Sequence, residues 1–298
     1  MSGQSSRAGA SSRGATAIGL GAIALWSVLA LLTASAGEVP PFELAALSFA
    51  VGGGFGFLYV AARGRLAALR QPWPVWAVGV GGLFGYHALY FAALGRAPPA
   101  EASLINYLWP LLIVLFSSLP PGERLRARHV VGAALGFAGA ATLFVGKMAG
   151  GFSFHALDAR VASGYALALA CAFVWSSYSV LSRRLKAAPT EAVAGFCLAT
   201  SALAALCHSV FETTVAPAGA AHWAAIVGLG LGPVGLAFYA WDYGVKRGDL
   251  KLLGVAAYAA PALSTLILVA AGFAQATASL GLACALIVGG AVAATLRG

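Results

Sequence analysis

The chain has 298 residues, of which 60% are hydrophobic and only 9% charged. Soluble domains carry about 25% charged residues, so the composition excludes a soluble globular enzyme, a disordered chain and a disulfide scaffold. The formal charge is +9, but the cations sit between hydrophobic runs, which points to a membrane and not to nucleic acid.

In chain order, residues 1–14 are rich in Ser and Gly and are expected to be disordered. A spanning helix takes about 20 apolar residues. Ten such runs follow: 15–34, 42–62, 74–94, 99–119, 128–146, 163–182, 190–211, 221–243, 250–270 and 274–296. The longest gap, 147–162, is a connecting loop. Arg7 and Arg13, the first run and Ala34-Ser35-Ala36 together resemble a cleavable signal peptide, whose removal would leave nine spans. The internal repeat described next argues for keeping the first span. With a cytoplasmic N-terminus and strict alternation, 15 of the 18 Lys and Arg fall inside, and only Arg96, Lys147 and Arg160 fall outside. This asymmetry is what the positive-inside rule requires. It places both termini in the cytoplasm and 147–162 on the other side.

The two halves resemble each other. Trp26-Ser27 aligns with Trp175-Ser176, Tyr90 with Tyr239 and Gly95 with Gly244 at one offset; Tyr107 aligns with Tyr258 and Pro110 with Pro261 after a two-residue slip. The expected fold is all-α, with ten transmembrane helices in two five-helix repeats, 15–146 and 163–296. Five spans per unit is an odd number, so the repeats have opposite orientations. Inverted repeats are common among secondary transporters, in which one part rocks against another around a central site.

Several residues carry candidate chemistry. Pro110 and Pro261 fall mid-span at equivalent positions. A mid-helix proline removes one donor and frees the carbonyl four residues earlier, here on Asn106 and Ala257. A hinge at the substrate site or a tolerated kink both fit. Tyr86 and Tyr90 share a helix face, Tyr107 and Trp109 flank Pro110, and Phe238, Tyr239 and Trp241 lie on the eighth run. Trp26, Trp175 and Tyr178 add aromatics from the first and sixth runs. Trp73, Trp76 and Trp223 suit the membrane interface. His87 is the most interior imidazole, and an intramembrane ionisable group is a functional candidate: it could bind a substrate carboxylate, titrate, or simply pack. Glu43, Glu101 and Glu191 open spans, where they complement helix dipoles. Asp242 lies one turn from Lys246, as in a local ion pair. Gly132, Gly136 and Ala140 form one small-residue stripe, and Gly281, Ala285 and Gly289 another; the two are expected to pack together. Cys171, Cys197, Cys207 and Cys284 lie in apolar runs with no metal-ligand spacing, so no metal and no cofactor are expected. HExxH, GxSxG and P-loop motifs are missing, and the reading is not that of an enzyme.

Ten spans in two five-span repeats, together with Glu101-Ala-Ser-Leu-Ile-Asn-Tyr-Leu-Trp-Pro110, the Tyr86-His87 pair and Trp26-Ser27, resemble the drug/metabolite transporter superfamily, EamA type, over residues 15–296. The Asn106–Pro110 stretch is similar to that of the family's bacterial aromatic amino acid exporters. The resemblance implies an inner-membrane exporter that works as a monomer by alternating access, with amino acids or related metabolites as its small-molecule substrates. It places Trp26, Tyr86, His87, Tyr90, Asn106, Tyr107, Trp109, Trp175, Tyr178, Tyr239 and Tyr258 at or near a central cavity. The second repeat has Ala257 and Ala260 where the first has Asn106 and Trp109, so the first is expected to supply more contacts. A multidrug or metabolite exporter and a passive facilitator are the competing readings.

Overall fold

The computed structural model describes residues 2–119, 125–145, 159–272 and 275–295. Every regular element among them is helical. They are α1 (Ser2–Ser27), α2 (Leu29–Ser35), α3 (Pro41–Ala62), α4 (Trp73–Leu94), α5 (Pro99–Asn106), α6 (Trp109–Phe116), α7 (Ala127–Val145), α8 (Ala159–Arg184), α9 (Val193–Phe211), α10 (Ala220–Leu231), α11 (Ala237–Arg247), α12 (Leu250–Ala256), α13 (Ala259–Ala270) and α14 (Ala278–Thr295). Nine stretches of described residues, some built from two helices, are long and apolar enough to cross a membrane. The 19-residue α7 falls on the remaining expected run. This is a multi-pass, all-helical membrane protein. α1 begins well before the apolar run that starts near residue 15. Most of the 147–162 loop lies outside the described residues, and α8 takes up its last four positions.

Prolines set the short helices. α5 ends at Asn106 and α6 starts at Trp109, with Pro110 in its first turn; α12 ends at Ala256 and α13 starts at Ala259, with Pro261 likewise near its start. Proline tolerates that position because the first N–H groups of a helix have no intrahelical partner. Both mid-span prolines therefore convert one long helix into two. The carbonyl of Ala257, expected to be freed, accepts a tightened bond from the N–H of Ala260 at 3.1 Å. Two further interruptions were not expected, one of them at Val28 between α1 and α2. Between α10 and α11, Gly232–Leu236 forms a π-turn around Pro233.

The chain packs as two compact units, and these are not the two sequence repeats. One comprises residues 1–88 and 181–248; the other comprises 89–180 and 249–298. Each takes helices from both halves of the sequence.

In the first unit, α3 is the glycine-bearing centre. Its Gly53 approaches the backbone of Leu198 and the Cβ of Cys197 on α9, where a Cβ of its own would have no room. Gly52 faces the Gly230 carbonyl and Gly235 on the other side. The Ser201 hydroxyl donates to the Ala46 carbonyl at 2.7 Å, locking α9 on α3.

In the second unit, α7 packs along α14 as expected, but through a different face of α14. Gly132 meets the Gly290 carbonyl and Ala294, and Gly139 meets Ala283 and Ile287. Gly136 is covered by the Tyr258 ring, and Ala140 is buried. The expected stripe of Gly281, Ala285 and Gly289 is exposed. Two small-residue stripes compete on α14, and the one containing Gly290 and Ala294 adds Ile287 to the buried face. Gly290→Val should therefore lower thermal stability in detergent by several degrees, because its Cβ would sit 2.5 Å from the Gly132 carbonyl. Gly289→Val should change it little. Equal losses in thermal unfolding would show that the wrong face has been assigned.

Candidate functional site

The first unit gathers one aromatic cluster from four helices. Trp26 of α1 lies 5.1 Å from Trp241 and 6.2 Å from Phe238, both on α11. Phe49 of α3 stacks on Phe238 at 5.6 Å and meets His87 of α4 edge-on at 5.0 Å. Tyr86 flanks His87 at 5.4 Å. The structure thus brings together Trp26, Tyr86 and His87, and adds Phe49, Phe238 and Trp241.

The state of His87 follows from its neighbours. Nδ1 lies 2.7 Å from the Leu83 carbonyl. A carbonyl only accepts, so Nδ1 carries the proton and donates. In the neutral imidazole Nε2 is then an acceptor.

The second unit holds a separate set. Trp109 of α6 meets Trp175 of α8 edge-on at 6.2 Å, and Trp175 packs on Tyr178 at 5.1 Å. The Tyr90 and Ser103 hydroxyls are 2.8 Å apart, tying α4 to α5. Asn106 is buried at the end of α5. Tyr107, in the break after α5, packs against the apolar cluster that includes Val114 and Tyr258.

Two expected residues stand in helix packing. Tyr258 is fully buried, and its hydroxyl accepts the N–H of Leu111 at 3.2 Å, just past the first proline break. The Tyr239 hydroxyl lies against Gly56 of α3 and has no hydrogen-bond partner among the described residues. Phe238 and Trp241, three residues apart on one face, take the cluster positions while Tyr239 points away. Pro233 in the middle of a Gly-rich run was the sequence signal for this: the π-turn adds a residue and resets the face.

Charged side chains make contacts of their own. The Asp242 carboxylate is 2.8 Å from Lys246 Nζ, with side chains only 2% and 4% exposed. Thr190 donates to Asp242 at 2.8 Å, and Lys246 donates to the Ala188 carbonyl at 3.0 Å. The expected local pair is thus a buried network that ties the turn before α9 to α11. Glu43 does not cap its own helix: the Glu212 carboxylate accepts the N–H groups of Phe42 and Glu43 at 2.9 and 3.1 Å, and Glu43 accepts the Val215 N–H. Glu191 pairs with Arg65, and Glu101 accepts from Tyr165. Trp73 and Trp223 are exposed, as interface residues should be, whereas Trp76 packs edge-on to Phe196.

Comparison with known proteins fits this architecture. The model of the EamA-like transporter family matches residues 13–145 and again 162–296. The chain belongs to this family. A protein of Ancylobacter novellus named "Aromatic amino acid exporter YddG" is 62% identical over 95% of this chain and 97% of its own length. Proteins of the same name from Salmonella typhimurium and Escherichia coli are 28% and 26% identical, over 85% and 84% of this chain and 87% and 86% of their own. A solved crystal structure with 60% sequence identity superimposes with a TM-score of 0.90, covering 95% of this chain and 96% of its own.

The buried pair gives a clean test. Breaking such a pair from one side costs about 3–5 kcal/mol because the other charge is left buried alone. Asp242→Asn and Lys246→Met should each lower thermal stability strongly, and the double variant should lose less than either single one. Additive losses in thermal unfolding would mean that the charges act independently.

Proposed function

We propose that the protein exports amino acids, aromatic or otherwise amphipathic, across the bacterial inner membrane by alternating access, as a monomer with both termini in the cytoplasm. The observation that carries the reading is the aromatic cluster around His87. Trp26, Phe49, Tyr86 and Phe238 supply ring faces for an apolar side chain, and His87 supplies a polar group beside them. A few converging polar groups on an apolar lining are what a small-molecule site requires. The names of the relatives support the substrate class, and family membership supports transport.

The two proline breaks serve as hinges in this reading. α5–α6 and α12–α13 are each two rigid halves joined by a two-residue turn, so a small change at the turn re-aims a half-helix. The inverted five-helix repeat, supported by the twofold family match, gives each movement a counterpart.

Counterflow in proteoliposomes tests the substrate class. Vesicles loaded with unlabelled phenylalanine should accumulate labelled phenylalanine by trans-stimulation, and a passive facilitator would show none. His87→Ala and Trp109→Ala should reduce the rate about tenfold or more in folded protein; full transport by both would remove the site assignment. Pro110→Ala and Pro261→Ala should change the rate more than the apparent affinity. For orientation, a fluorescent protein fused after Gly298 should fluoresce, and alkaline phosphatase fused there should stay inactive. The opposite pattern would invert the topology.

A further inference from the structure

Pro233 stands in the middle of a spanning segment, Ala220–Arg247. A straight α-helix through it would leave the carbonyl of Leu229 without its donor and drive the proline ring into that carbonyl. The chain answers with one turn of π-helix over Gly232–Leu236. Such a turn inserts one extra residue into the helical register. One residue corresponds to about 100° of rotation, so the π-turn decides which side chains of α11 face which neighbour. With it, Phe238 and Trp241 meet Trp26, and Phe238 also meets Phe49 and His87, while Tyr239 is sent to Gly56. Without it, the same three side chains would turn out of these contacts.

Two observations show that this turn is held in place. The indole Nε1–H of Trp26 donates to the carbonyl of Pro233 at 3.1 Å, across 207 residues of sequence. Gly52 of α3 also presses against the turn: a Cβ there would lie 2.5 Å from the Gly230 carbonyl and 2.8 Å from the Gly235 Cα. The turn is thus contacted both by a glycine of α3 and by the tryptophan of α1.

We propose that Trp26 is a positioning residue for selectivity. It acts through the Pro233 carbonyl by fixing the register of α11 and thereby the placement of Phe238 and Trp241 beside His87. Its ring face belongs to the aromatic cluster, but its single N–H is committed to the protein backbone. This rests on the transport reading for its consequence, selectivity, and on the structure alone for its cause, the coupling of Trp26 to the π-turn.

The test separates the two. Indole N–H signals of 15N-tryptophan-labelled protein in nanodiscs are recorded for the wild type, Trp26→Phe and Pro233→Ala. The signal lost in Trp26→Phe identifies Trp26. That signal should exchange slowly with deuterium in the wild type and shift and exchange faster in Pro233→Ala, where a straight helix becomes possible. An unchanged signal in Pro233→Ala overturns the coupling, whatever the protein transports. In counterflow, the ratio of apparent affinities for phenylalanine and leucine should fall about five- to tenfold in Trp26→Phe. It should fall similarly in Pro233→Ala, and no further in the double variant, because the two act as one unit. Multiplying effects, or an unchanged ratio in Trp26→Phe with the maximal rate reduced, overturn the proposal. If wild-type vesicles show no counterflow of any amino acid, the transport reading fails while the N–H measurement still decides the coupling.

Discussion

Hydrocarbon offers no hydrogen bonds, so every backbone N–H and C=O inside it must find a partner within the protein. This constraint explains why the described chain is helical throughout, and it explains where its chemistry collects. Four spanning segments are interrupted among the described residues: after Ser27, after Asn106, after Ala256 and around Pro233. At two of these interruptions a side chain from elsewhere meets a backbone group: the Tyr258 hydroxyl takes the Leu111 N–H, and the Trp26 indole gives to the Pro233 carbonyl. Polar-tipped aromatics are the natural partners, because one end of such a side chain suits lipid or a packed core and the other makes the bond.

The same logic sorts the aromatics by role. Tyr258 is fully buried and bonded, and the Tyr239 hydroxyl lies against Gly56. Trp26, Tyr86 and His87 are only partly buried and share ring contacts. His87 has its proton directed inward to Leu83, which turns its basic nitrogen to the other side of the ring. Charged side chains form the Asp242–Lys246 network and the Glu43–His208–Glu212 group.

What the sequence reveals depends on how local its cause is. The ten apolar runs are legible because hydropathy and length are properties of one segment. The breaks at Pro110 and Pro261 are legible because the missing N–H acts within four residues. Pro233 has the same chemistry, but its glycine-rich surroundings read as an unbroken run, and the choice between Phe238 with Trp241 and Tyr239 turns on that one added residue. The buried face of α14 cannot be read from spacing, since Gly281, Ala285 and Gly289 offer as regular a stripe as Gly290 and Ala294. The make-up of the two compact units is the least legible feature. It depends on which distant helix each glycine face accepts.

That interleaving shapes how the chain is made. The first unit needs residues 181–248 before it is complete, yet α3 leaves the ribosome long before α9. Ala46 waits 155 residues for the hydroxyl that will lock it, about 8–30 s at roughly 5–20 residues per second. During that interval the notched surface of α3 has only lipid or the insertion machinery to cover it. Biogenesis is then a period of open ends, closed late and from the far side of the sequence. A lesion in α9 would strand a helix already embedded in the bilayer, and quality-control proteases would meet it there.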